Sequence, residues 1–294
     1  MPEQCYIHPA SWWEPCADGK VKCRLCPHNC IIGDGRAGYC AVRENRGGKL
    51  FSISYGRPVA VHVDPIEKKP LARFMPGTST FSFGTFGCNL GCLFCQNDSL
   101  SRGRYEEPGN YEFVKPERIV ELAQGCKADS ISFTYNEPAV FAEYAIDVAR
   151  LAADAGLPRV LVSNGYITRE AANDLYPLIN AANIDMKGFS EDFYREMTGS
   201  SLQPALDSIK LLYTLDKHLE ITTLIIPEKN DSIEMLNNWL DWVEQNLDKT
   251  VPLHFSAYHP CYKYTAPPTP RETLLAIRRQ AQYRGFNEVF LGNI

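Results

Sequence analysis

The sequence predicts an α/β fold, a partial (βα)6 TIM-like barrel preceded by an N-terminal Cys-rich, mostly irregular metal-binding module. Three observations carry this expectation. From about residue 77 onward, apolar or β-branched runs recur, each followed by a helix-patterned stretch. Proline stands at or near the first turn of three of those stretches, at Pro116, Pro138 and Pro270, where a helix tolerates it best. Seven of the 11 cysteines crowd into two short clusters, one before the alternating region and one just inside it.

Taken in order, residues 1–76 are rich in Cys, Gly, Arg and Pro and hold only short strand-like pieces, at 50–54 and 58–63. The stretch DPIEKKPLARFMPG at 64–77 is charged and Pro-punctuated, and predicts a connector or surface loop. A boundary there divides the chain into a Cys-rich module with its connector, 1–76, and a barrel, 77–294. Barrel strands are expected at 79–86, 130–135, 159–164, 182–186, 219–226, 253–258 and 288–291. Helices are expected at 116–124, 138–155, 169–178, 191–197, 202–215, 232–247 and 270–283. Regular alternation implies right-handed βαβ units and a parallel sheet, whose carboxyl edge is where active sites collect.

Composition narrows the partners. The 294 residues, 45% hydrophobic and 22% charged, suffice for a sizeable core. Net charge is -5 and no basic segment stands out, so nucleic acid is not expected as a partner. The start, MPEQCYIHPASWWEPC, lacks a positive region followed by an apolar stretch, and no run of 18 apolar residues occurs. No membrane partner is therefore expected, and a cytoplasmic location is. Disulfides are rare there, so an odd count of clustered cysteines points to metal ligation.

Cys88, Cys92 and Cys95 form a C-x3-C-x2-C triplet directly after the first barrel strand. Three thiolates on one loop each take one iron of a [4Fe–4S] cluster and leave the fourth iron open to a substrate or cofactor. Zinc is the alternative, but it ordinarily asks for four such ligands. Cys23, Cys26, Cys30 and Cys40 give C-x2-C-x3-C-x9-C, four thiolates able to close around a second iron–sulfur cluster or a zinc ion, with His28 as an alternate ligand. Spacing does not separate the two metals. Cys5, Cys16 and Cys126 read as free thiols.

Three motifs carry a resemblance: Asp64-Pro65-Ile66-Glu67-Lys68-Lys69-Pro70, the run Gly-Cys-Asn-Leu-x-Cys-x-Phe-Cys-Gln-Asn from Gly87, and Thr134-Tyr135-Asn136-Glu137-Pro138. Together they resemble the pyruvate formate-lyase activating enzyme-like branch of the radical S-adenosylmethionine (SAM) enzymes, and within it the radical SAM component of the AmmeMemoRadiSam system. The resemblance implies SAM bound at the open iron and cleaved by one electron to methionine and a 5′-deoxyadenosyl radical, an oxidoreductase chemistry. It places Glu137 against the SAM amino group, where the family often has Gly-Gly-Glu; here Tyr135 and Asn136 replace the glycines. Ser163 and Asn164 match a segment contacting ribose and carboxylate. Asp185 and Lys187 match an Asp-x-Lys pair, with Lys187 meeting a carboxylate of SAM or substrate and Asp185 a cation or the amino group.

Lys187 and His254 are the candidates for contact with reacting groups, His254 as a residue lining the substrate cavity. Asn136 and Glu137 equally read as caps of the helix at Pro138, and Asn164-Gly165 as an ordinary turn. The resemblance implies a reductant such as flavodoxin or ferredoxin. It also implies either a glycyl-radical protein or AMMECR-type and Memo-type proteins as partners. The rival reading is a non-catalytic iron–sulfur electron carrier or metal-stabilised binding module.

Overall fold

A computed structural model describes residues 7–103, 105 and 110–294; Cys5 lies outside the described residues. The amino-terminal part is more regular than the sequence predicts. Its strands are β1 (His8–Pro9), β2 (Trp13–Pro15), β3 (Val21–Cys23), β4 (Ile31–Ile32), β5 (Arg43–Arg46) and β6 (Lys49–Ser52). They form two antiparallel three-stranded sheets, ordered β1-β6-β5 and β2-β3-β4. Strands of two to four residues are too short for a period of two to register in sequence. The one clear local signal is Gly47-Gly48, both at positive φ, which make the two-residue turn between β5 and β6.

The second part is an eight-stranded sheet in chain order: β7 (Ala60–Pro65), β8 (Ser79–Gly84), β9 (Ser130–Phe133), β10 (Arg159–Ser163), β11 (Ala181–Asp185), β12 (His218–Ile225), β13 (Leu253–Ala257) and β14 (Val289–Gly292). β7 is antiparallel to β8, and every later pairing is parallel. All seven expected barrel strands are present, as a mixed sheet consistent with a partial βα barrel. The expected helix at 138–155 begins as a 3-10 turn, Pro138–Phe141, before Ala142–Asp154. That at 191–197 is a short α turn running into a π turn, Tyr194–Thr198.

Alternation sorts the strand side chains. Phe81, Phe83, Ile131, Phe133, Leu161, Ile184, Ile221 and Phe255 join the main apolar core. The alternate positions Thr80, Ser82, Ser130, Ser132, Asn183, Glu220 and Thr222 are also buried, so the other face of the sheet is enclosed and polar. Helices cover the apolar side; Leu274, Ile277 and Ala281 of Arg271–Tyr283 pack toward β13 and β14. Ser190 and Ser232 cap helices, each hydroxyl accepting a backbone N–H three residues on.

The charged stretch at 64–77 is not a surface loop. Ile66 and Leu71 are fully buried in a small core with Val160 and Ala181, near the amino ends of β10 and β11. Lys69 is buried with its Nζ 2.7 Å from Asp64 Oδ2. The backbone N–H groups of Ala72 and Arg73 donate to Glu220, and Asn183 Nδ2 donates to the Pro70 carbonyl. The segment thus plugs one end of the barrel. Its count of charges hides two apolar anchors and a lysine neutralised in place. Among the described residues, no helix is long and apolar enough to cross a membrane.

Candidate active site

β8 delivers the chain to the loop carrying Cys88, Cys92 and Cys95, all free thiols, with Cys92 buried and the others half-buried. Asn136 fixes the loop's start: its Oδ1 accepts from Thr85 N at 3.0 Å and its Nδ2 donates to the Gly87 carbonyl at 2.9 Å. Gly87 sits at φ +88°, and a Cβ there would stand 2.6 Å from the Cys40 carbonyl and from Val42, so the amino-terminal module is pressed against the loop. On the far side, Gly91 N donates to Thr198 O and Leu93 N to Met197 O. The Cys261 thiol donates to the Cys95 carbonyl at 3.2 Å, closing the loop after β13 over the same segment.

Glu137 is buried and accepts from Ser163 Oγ (2.7 Å), Asn164 N (2.8 Å) and Ala139 N (2.9 Å). It therefore does cap the 3-10 turn, and it also braces the end of β10. A carboxylate has about four acceptor positions, which leaves one for an incoming ammonium. Burial pushes its pKa up against the pull of these donors and of Lys187. Asn164 Nδ2 donates to Asn89 Oδ1 at 3.0 Å and lies 3.9 Å from Cys88 Sγ, while its Oδ1 accepts from Tyr166 N, the turn geometry the dipeptide predicts. Tyr135 holds φ +72°, the left-handed conformation a glycine would adopt in its place. That costs about 1–2 kcal/mol in a non-glycine residue. Its hydroxyl, bonded to Asp64, and its carbonyl, bonded to Asn97, keep it there.

Asp185 ends β11 and forms a close ion pair with Lys187. Burial works against the Lys187 charge, but Asp185 and Cys92 outweigh it and the ammonium is held well above its ordinary pKa. Asp185 Oδ1, Asn183 Oδ1 and Thr222 Oγ1 are buried and unpartnered, and Asp185 and Thr222 are register partners across β11 and β12. Cys92 lies within electrostatic reach of Cys95, Lys187 and Asp185, and Cys88 of Glu137 and Cys92. Burial pushes the Cys92 thiol up to about 11, so ligation, not the protein alone, must deprotonate it.

Six expected residues thus gather around the three cysteines: Asn136, Glu137, Ser163, Asn164, Asp185 and Lys187. His254 does not join them. It is the second residue of β13, its Nε2 is 2.6 Å from Glu220 Oε2, and its ring stacks on Phe290. A buried carboxylate that also accepts from His218 and from two backbone N–H groups captures it. Asn89 also stands at the site, and its place inside the cysteine motif is the sequence signal for it; Thr222, which carries little signal in sequence, lies beside Asp185, and Cys261, a thiol expected to be able to face the cavity, binds the Cys95 carbonyl.

Among the described residues, no three His, Cys, Asp or Glu side chains close on one point as a metal site. The fit to a [4Fe–4S] cluster rests on the donor set: three free thiols on one loop, with unpartnered buried oxygens beside them. Cluster ligands hold separate irons at separate corners and need not converge on a single ion.

Comparison with known proteins agrees with this geometry. The model of the Radical SAM superfamily matches residues 83–240, more than half of the chain. An uncharacterized protein of Methanocaldococcus jannaschii is 41% identical over 286 residues, covering 97% of this chain and 85% of that one. A putative glycyl-radical enzyme activating enzyme of the same organism is 27% identical over 53% of this chain and 62% of its own length. Among solved structures, a radical SAM methyltransferase from Sphaerobacter thermophilus shares the fold with a TM-score of 0.58 at 11% identity, over 97% of this chain and 76% of that one. The chain belongs to the Radical SAM superfamily, enzymes that reductively cleave SAM to a 5′-deoxyadenosyl radical.

Proposed function

We propose that Cys88, Cys92 and Cys95 hold the cluster and that SAM is seated between Glu137, Asn164, Asp185 and Lys187. Bound there, a [4Fe–4S] cluster with one open iron supplies the electron that splits SAM. The observation supporting this seat is the set of buried, unpartnered oxygens of Asp185 and Thr222 beside a charged Lys187. Lys187 offers a cation to the SAM carboxylate, Glu137 its remaining acceptor position to the amino group, and Asn136 and Ser163 brace the loop and strand end that present them. The polar barrel interior excludes bulk water from the radical while leaving donors and acceptors for a substrate. A non-catalytic carrier has no use for such a seat.

The hydrogen donor we infer is a glycine of a partner protein, supported by the similarity to the putative glycyl-radical activating enzyme. A second reading, a small molecule processed with AMMECR-type and Memo-type partners, is supported by the motif set shared with the AmmeMemoRadiSam component. Either needs a low-potential reductant of the flavodoxin or ferredoxin type. The cysteines at 23, 26, 30 and 40 form a second metal centre in this reading, in an amino-terminal module whose limit lies before β7 and not near residue 76, since β7 pairs with β8 in the barrel sheet.

Anaerobic reconstitution with iron and sulfide, then SAM and a strong reductant, tests the proposal by the yield of 5′-deoxyadenosine. Cys92→Ala should lose both product and the cluster's iron. Undiminished product from that variant would sink the assignment of the three cysteines.

A further inference from the structure

Cys23, Cys26, Cys30 and Cys40 come from three separate stretches, the end of β3, the turn after it, and the loop before β5, yet all four line one closed cavity together with Arg43, Tyr39 and Val140. Its free volume is about 10 Å³. That is room for roughly one water-sized sphere, not for a four-iron cluster. His28 is not among its walls: Nε2 is engaged with the Asn89 carbonyl at 2.8 Å and the ring lies 4.3 Å from Tyr39. The donor set is therefore four thiols.

Hydrogen-bond donors already face this cavity. Tyr39 N donates to Cys30 Sγ at 3.4 Å. Arg43 is fully buried, with Nη1 on Glu143 at 2.5 Å and Nη2 on the Ser11 carbonyl, and its Nε has no partner. Arg43 lines the cavity, so a buried guanidinium with one donor unused stands beside the four sulfurs. A metal-bound sulfur accepts more strongly than a thiol, so ligation would give the Tyr39 N–H a better partner and the guanidinium a negative neighbour.

We propose that these four cysteines bind a single zinc ion in a tetrahedral all-thiolate site, and that this knot holds the amino-terminal module against the catalytic loop. As the side chains stand they do not close on one point, and the ion is what draws them together. The proposal deepens the reading of these residues as a metal centre and does not depend on SAM cleavage. The mechanical consequence follows from contacts already described. Cys40 O and Val42 press on Gly87, His28 holds the carbonyl of Asn89, and Arg102 ties the Tyr39 carbonyl to that of Leu90. His28, Tyr39 and the stretch from Cys40 to Val42 thus reach the segment between Gly87 and Leu90, directly or through Arg102.

The test uses the full chain with Cys88, Cys92 and Cys95 all changed to Ala, which removes the catalytic ligands and leaves the knot. Zinc, iron and sulfide are then counted in the purified protein. About one zinc per chain with no iron is the expected result. Iron with sulfide in that variant would mean an iron–sulfur cluster at the knot, and absence of both metals would mean none; either overturns the proposal. Adding Cys26→Ser should release the zinc, and retention would overturn the ligand set. In the otherwise native chain, chelation of the zinc should raise amide exchange at residues 87–90 while the barrel helices keep theirs. Unchanged exchange there would overturn the clamp. Failure of 5′-deoxyadenosine formation would sink the catalytic reading and leave these metal counts standing.

Discussion

Two carboxylates of the barrel, Glu220 and Asp185, are treated in opposite ways. Near the plug formed by 64–77, Glu220 is fully buried and every demand on it is met: His218 and His254 bind its two oxygens, and the backbone N–H groups of Ala72 and Arg73 complete it. Near the cysteine loop, Asp185 and Thr222, partners in register, each keep a buried oxygen with no partner, next to a lysine. A polar group costs free energy to bury unless it is paired, so the Glu220 network is complete within the fold, while Asp185 and Thr222, beside the cysteine loop, keep acceptors and a donor to spare for the SAM seat proposed above. The same contrast separates the two histidines of interest, His28 pressed on the catalytic loop and His254 tied into the plug.

The largest effect that would break this contrast is Glu220→Ala. It strands two histidines and two backbone donors, and should cost about 3–5 kcal/mol, lowering Tm by roughly 10 °C. The folded fraction should bind SAM as before. Thermal melts alongside SAM titration check this, and a stable variant with impaired SAM binding would reverse the roles assigned to the two carboxylates.

The same carboxylate makes stability acid-sensitive. Burial alone would raise its pKa, but the two histidines and two N–H donors prevail and hold it at about 2 against an ordinary 4.5. A depressed acid contributes stability in full above its unfolded value, and that contribution is lost as pH falls from 4.5 toward 2. It amounts to on the order of 3 kcal/mol. Denaturant midpoints measured across that window should fall in the native chain and flatten in Glu220→Gln.

Sequence made the functional end legible and the structural end obscure. The cysteine spacing, the Asn136-Glu137-Pro138 turn and the Asp185–Lys187 pair are local patterns, and a parallel sheet brings the ends of consecutive strands together without further information. Glu220 is different. It is bound by residues at 72, 73, 218 and 254, and nothing in its own neighbourhood marks it. His254 differs for the same reason: it stands at the amino end of its strand, Leu253–Ala257, away from the cysteine loop, and a carboxylate 34 positions away decides where the ring turns. The plug at 64–77 hid behind its own charges, since only the fold shows that Asp64 neutralises Lys69.

Beside Asp185, Lys187→Met should lower the yield of 5′-deoxyadenosine at limiting SAM by about 10–100-fold, through loss of a charge-assisted contact. The effect should sit mainly in KM if the ammonium meets the SAM carboxylate. A change confined to kcat would move Lys187 to the substrate.

The smallest effect is the sharpest discriminator. Thr222→Val keeps the side chain's shape and deletes a hydroxyl that is buried without a partner. Removing such a group should leave stability unchanged or raise it by about 0.5–1 kcal/mol, the opposite sign from an ordinary buried-polar deletion. Weaker SAM or substrate binding, by a factor of a few, should accompany it. If Tm instead falls, the hydroxyl already serves the fold and the row from Asp185 to Thr222 is scaffold. If Tm rises while binding holds, the seat lies elsewhere along β11 and β12. Only a stable variant with weakened binding agrees with an end of the barrel left polar for its ligand.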